Sequence, residues 1–118
     1  MKSSYSKRRD RIKDKFTWSL WIWANQNNMQ LQKEYKFHPV RKWRFDFYFK
    51  KIKVGIEYEG VFSTQSRHTN KMGYSRDTDK YREAAKMGLI VLRYTAANAN
   101  KVIEDLDEIL LKNKILIR

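Results

Sequence analysis

The stretch Arg44–Gly60, RFDFYFKKIKVGIEYEG, constrains the chain more than any other. It reads as two β-strands back to back. Trp43, Phe45, Phe47 and Phe49 alternate with Arg44, Asp46 and Tyr48, and Ile52, Val54, Ile56 and Tyr58 alternate with Lys53, Gly55, Glu57 and Glu59. Period-two alternation marks strands with one face against a core. Only Lys50 and Lys51 join the two runs, a link too short for anything but an antiparallel hairpin. Pairing that puts Phe45 and Phe47 on the face of Val54 and Ile56 also fixes the opposite face, which then carries Asp46, Glu57 and Glu59. Acids are poor strand residues, so three of them on one face need a reason.

The flanking segments supply the other layers. Ile12, Phe16, Leu20 and Trp23 recur at helical spacing in KRRDRIKDKFTWSLWIWANQNN, after a frayed start over residues 1–6, and Asn27 and Asn28 end that helix. LQKEYKFHPV is a first strand, with Leu31, Tyr35 and Phe37 to one side and Glu34, Lys36 and His38 to the other. Residues 61–74 read as a polar loop. Ser75 caps a helix running to about Met87, with Gly88 at its C′ position. LIVLRY is a continuous apolar run, expected as a buried strand. Val102, Leu106, Ile109 and Leu110 form the stripe of a last helix, and the final KILIR is unassigned. The order α-β-β-β-α-β-α predicts a single α/β domain over residues 1–118, a mixed sheet flanked by helices.

Composition narrows the function. Twenty-six Lys and Arg face thirteen Asp and Glu, a net charge of +13 in 118 residues. Such a field attracts polyanions, which makes nucleic acid the expected partner and an anionic membrane a poorer one, because the basic residues are not gathered on one amphipathic helix. The absence of cysteine excludes disulfides, thiolate metal sites and cysteine nucleophiles, and suits a reducing, cytoplasmic setting. The charged first fifteen residues do not read as a signal peptide, and no apolar run has the length of a membrane span.

Three converging carboxylates repel one another unless a cation joins them. Hard oxygen donors suit Mg²⁺, or Mn²⁺, which organises phosphoryl chemistry. Gly55 would leave room beside them for a phosphate or another backbone to approach. The alternative is a polar strand face whose acids pair with Arg44 and Lys53. Arg41, Lys42, Arg44 and Arg67 flank the acids and are candidates for phosphate contacts, since guanidinium groups fork onto phosphate oxygens. Trp43 and Tyr48 are candidates for stacking on an unpaired base.

Asp46 together with IEYEG resembles the PD-(D/E)XK nucleases. WRFDF, EYEG, SRHTN and DTDKYREAAKMGLIVLRYT, spread over residues 34–95, resemble in order and spacing the small phage and bacterial nucleases of the very-short-patch-repair-like branch. The resemblance implies a restriction-endonuclease-like αβββαβ core with an extra C-terminal helix, a divalent metal on Asp46, Glu57 and Glu59, and hydrolysis of DNA phosphodiesters. It also implies a further acid, Glu34, at the metal, and a supporting role for Asp77. The family name expects a lysine where Glu59 stands. That leaves two candidates to activate water, Lys80 from the following helix or His68 from the loop. No separate sequence-reading module is present, so branched or junction DNA is the expected substrate, and a homodimer would suit a junction. The rival reading is a nuclease-fold module that binds nucleic acid without cutting it, or a subunit of a larger nuclease assembly.

Overall fold

The structure, a computed structural model, describes the backbone of residues 4–59 and 71–116 and side chains from 11 to 59 and 77 to 114. Helix α1 (Ser4–Gln26) leads into strands β1 (Gln32–Lys36), β2 (Arg44–Phe49) and β3 (Val54–Glu59). Helix α2 (Lys71–Lys86), strand β4 (Ile90–Thr95), a 3₁₀ turn (Ala99–Lys101) and helix α3 (Val102–Leu116) follow. The sheet order is β1-β2-β3-β4, with β1–β2 and β2–β3 antiparallel and β3–β4 parallel. The expected α/β architecture with a mixed four-stranded sheet is therefore present. Among the described residues no helix is long and apolar enough to cross a membrane.

The main core lies between one sheet face and helices α1 and α3. Phe16, Leu20 and Trp23 of α1 pack with Phe47, Phe49, Val54, Ile56, Val102 and Leu106. Two side-chain bonds fix α3: the Trp23 indole donates to Asp107 at 2.8 Å and the Tyr94 hydroxyl to Asp105 at 2.7 Å. The other face carries α2 over a smaller cluster of Phe37, Phe45, Tyr48 and Ala84.

Several local expectations change. Helix α1 begins at Ser4, inside the span read as frayed; Asn28 in the left-handed region (φ 53°) terminates it. Helix α2 starts at Lys71, so Ser75 is not its cap, and Asp77 and Asp79 lie beyond its first turn. Its end is as expected: Gly88 (φ 76°) donates to Ala85 O and Leu89 to Ala84 O, both at 3.0 Å, the paired bonds of a Schellman motif. The hairpin link is Lys50–Lys53 rather than two residues, with Lys53 N donating to Lys50 O at 3.2 Å and Lys53 left-handed at φ 56°. Ile52 still reaches the core from within that turn. β4 is a sheet edge, half-exposed rather than buried, with Ile90 open to solvent. Lys114–Leu116 of the unassigned C-terminal run continue α3.

The largest correction concerns alternation. Phe45 does not share a face with Phe47 and Phe49; it lies with Phe37 and Tyr48 under α2. β1 changes face in the same way, with Leu31 in the main core and Tyr35 and Phe37 in the other cluster. In β1 the reversal is at Glu34, which has φ 51° and falls opposite Asp46 between the pairs Lys33↔Phe47 and Tyr35↔Phe45; β2 changes face at Asp46, which is not left-handed. Strand alternation holds only while every residue stays extended, and a left-handed residue exchanges the two faces.

Candidate functional site

Strand β3 keeps its alternation. Val54 and Ile56 enter the main core, and Gly55 and Glu57 face α2. The space beside Gly55 is filled, not open: a Cβ there would lie 2.4 Å from Phe45 Cδ2. The glycine exists to admit that ring, so the expected room for a phosphate at this position is absent.

Glu57 is the one buried charged side chain among the described residues, 7% exposed. Its Oε1 is bonded by the Lys80 ammonium and its Oε2 by the Tyr81 hydroxyl, both from α2. Arg93 on β4, Glu57's partner in the parallel register, places Nε 3.9 Å from Oε2 and donates to Glu59 through its other end. The Arg93 guanidinium also lies 4.3 Å from the centre of the Tyr81 ring. The Lys80 ammonium stands 5.7 Å from the centre of the Phe45 ring. The buried Glu57 charge thus has direct partners, as burial requires.

These contacts set protonation. Burial first, then the bond to Glu57, push the Tyr81 hydroxyl well above the usual phenol range, so it stays a donor. Asp77, one helical turn earlier, adds to that rise. Burial lowers Arg93, but its bond to Glu59 and the nearby Tyr81 and Glu57 outweigh this, and the net shift is upward.

Asp46 behaves differently from the expectation. It would fall opposite Glu57 if the Phe47↔Ile56 register ran on by one residue. Its Oδ2 instead accepts the Tyr58 backbone N–H at 2.8 Å, taking the place of a ladder bond. Among the described residues no group of three or more acids or histidines could hold a metal ion. The convergence of Asp46, Glu57 and Glu59 is therefore not seen: one turns to the β3 backbone, one to α2 and one to β4. Glu57 and Glu59 do find basic partners, but these are Lys80 and Arg93, not the Arg44 and Lys53 that neighbour the acids in sequence.

Of the other predicted residues, Lys80 joins Glu57 and Asp77 acts on Tyr81. Glu34 is exposed at the edge of β1, at the row of Asp46. Arg41, Lys42 and Arg44 are exposed at the start of β2 and just before it. His68 and Arg67 lie outside the described residues. Tyr81 and Arg93 were not anticipated. Tyr81 directly follows Lys80, but its role depends on the helix phase. Arg93 meets Glu57 only through the β3–β4 register, which nothing local in the sequence specifies.

Comparison of the chain with protein-family models, with curated proteins and with solved structures finds no match to any of the three.

Proposed function

We propose that the chain is a divalent-metal-dependent nuclease acting on DNA, with its centre on the α2-facing side of β2 and β3. The observation that carries this reading is the Lys80–Glu57 contact, with Asp46 held on the backbone N–H of the next residue, Tyr58. An aspartate, a buried glutamate and a lysine from three successive elements make the constellation expected of the PD-(D/E)XK resemblance, although its lysine would come from the helix. The net charge of +13 supports a polyanionic substrate.

The donor chemistry fits Mg²⁺ or Mn²⁺, which are satisfied with one or two carboxylates plus water and substrate oxygens. Asp46 and Glu57 would hold the ion, Glu57 exchanging the Lys80 ammonium for it. When bound, such an ion polarises a phosphate oxygen and acidifies a water. Tyr81 and Arg93 orient the Glu57 carboxylate. Lys80 brings positive charge to the place where the phosphate gains negative charge. The proton of the attacking water goes to His68, or to Lys80 if Lys80 has first lost its own proton and so acts as base in place of supplying positive charge. The strand is held by Arg41, Lys42, Arg44 and Arg67. Branched DNA is the preferred substrate, and two copies would serve its two strands.

Incubation of the chain with linear, supercoiled and branched DNA tests this. Cleavage should require Mg²⁺ or Mn²⁺, stop with EDTA, and fall at least about 100-fold in Asp46→Ala. Asp46→Ala cutting at the wild-type rate would overturn the site assignment.

One observation favours a second reading, a nucleic-acid-binding module without catalysis, alone or within a larger nuclease assembly. Glu57 and Glu59 are both already neutralised by the chain's own cations. DNA binding unaltered by EDTA, with every substrate left intact, would select it.

A further inference from the structure

We infer that the connection between β1 and β2, residues 37–43, with Arg44 at the start of β2, receives an unpaired nucleotide, its base stacked at Trp43 and its phosphates on Arg41, Lys42 and Arg44. This deepens the nucleic-acid reading above and rests on it.

A column of rings starts at this connection. Trp43 lies nearly parallel to Phe37, with centroids 6.2 Å apart and 21° between planes. Phe37 stacks on Phe45 at 4.3 Å and 6°. The Lys80 ammonium, bonded to Glu57, stands 5.7 Å from the Phe45 centroid. Phe37 and Phe45 are buried, whereas Trp43 reaches solvent. Phe45 also stacks on Tyr48, and Tyr48 on Tyr35, so the stack has two half-exposed ends, Tyr35 and Trp43, of which Trp43 is the one with the Arg41 guanidinium against it.

The Trp43 ring is already occupied by a cation. The Arg41 guanidinium lies 5.7 Å from the Trp43 centroid. A planar guanidinium and a nucleobase use an aromatic ring in the same way, so Arg41 marks where a base can lie and can swing to its phosphate. The connection is held in shape beforehand. His38 Nδ1 accepts from Val40 N at 3.2 Å and Arg41 N at 2.9 Å, and Pro39 restricts the backbone between them. Pre-shaping lowers the ordering cost of binding.

Charge selects the occupant. Lys36, Arg41, Lys42 and Arg44 are exposed, and no acid occurs between Tyr35 and Phe45. A second copy of a +13 chain would be repelled here, whereas a polyanion is attracted. A duplex presents its bases already stacked, so a ring of this kind discriminates in favour of an unpaired one.

The test is binding of the full chain, in EDTA, to a fluorescein-labelled oligothymidylate and to a blunt duplex of equal length, read by anisotropy. Trp43→Ala should weaken single-strand binding about 5- to 100-fold, the range for loss of one base–aromatic stack, and leave duplex binding within about twofold. Trp43→Phe should retain most of the affinity. Trp43→Leu, which keeps apolar cover over Phe37, guards against an unfolded alanine variant and should lose the single-strand preference as Trp43→Ala does. Circular dichroism confirms that each variant is folded. Equal losses on both probes, or no loss on the single strand in folded Trp43→Leu, would overturn the inference. Because EDTA removes catalysis from the assay, failure here leaves the nuclease reading standing. Absence of metal-dependent cleavage would sink that reading without touching this one.

Discussion

The two faces of the sheet do different work. The face under α1 and α3 is apolar almost throughout, with Leu20, Phe49, Val54, Ile56 and Leu106 fully buried. The face under α2 joins a small aromatic cluster to a set of paired charges, Glu57, Lys80, Glu59 and Arg93. Buried charges rarely stabilise as well as hydrocarbon of the same shape. The first face therefore supplies most of the stability, and the second spends some of it to hold charged groups in fixed positions. A chain of this length has only one large core to draw on, and it places that core away from the charges.

Substitutions can break this contrast, and the largest effect belongs to the apolar face. Phe49→Ala should cost about 3–5 kcal/mol, the range for a buried aromatic, measured by urea unfolding. A loss below about 1 kcal/mol there would remove the distinction between the faces.

On the charged face, Lys80→Met leaves Glu57 partly uncompensated and should cost about 1–3 kcal/mol. Adding Glu57→Gln should return part of that loss, because the pair then acts as a unit. Strict additivity of the two substitutions would show that the contact carries no coupling.

Gly55→Ala pushes a methyl group into the Phe45 ring and should destabilise by about 1–3 kcal/mol through overpacking. Combining it with Phe45→Leu should relieve most of the penalty. If Gly55→Ala alone were neutral, the close approach of that ring would not be what requires glycine.

Glu34→Gly probes the reversal point. Its left-handed backbone suits glycine, so the exchange should stabilise by about 0.5–1 kcal/mol and raise the melting temperature by a few degrees. A fall in stability would mean that the Glu34 side chain does more than the backbone shape requires.

The smallest expected effect is alkaline. The Tyr81 hydroxyl titrates from 10.0 in the free side chain to a raised value in the fold. A raised value means that the folded state keeps its proton longer than the unfolded chain. Its contribution is whole below about pH 10 and declines as pH rises beyond it. Thermal melts over that range should show less decline in Tyr81→Phe than in the parent, with Tyr94 supplying the remainder in the same direction.

The helices and the number of strands were legible in the sequence because each signal is local. Phe16, Leu20 and Trp23 lie about one turn apart, and Gly88 ends its helix where no other residue would fit as well. The acids of β3 were legible too, since alternation is unbroken from Val54 to Glu57. The candidate site was legible in part. The sequence leaves Lys80 and His68 as alternatives, and the contact of Lys80 with Glu57 depends on how α2 lies on the sheet.

What the chain determined by itself is what neighbours along it can decide: periodicity, helix ends, the antiparallel hairpin and an excess of positive charge. Tertiary structure decided the rest. Two facing positions, the left-handed Glu34 on β1 and Asp46 on β2, are where both strands change face, which sets Phe45 over Gly55, and no period read along a single strand contains that change. The parallel register of β3 and β4 brought Arg93 to Glu57 and Glu59 across more than thirty positions of chain. Such partners are chosen by the packing of α2 and the pairing of distant strands, because the free energy of a buried charge depends on what surrounds it in space rather than in sequence.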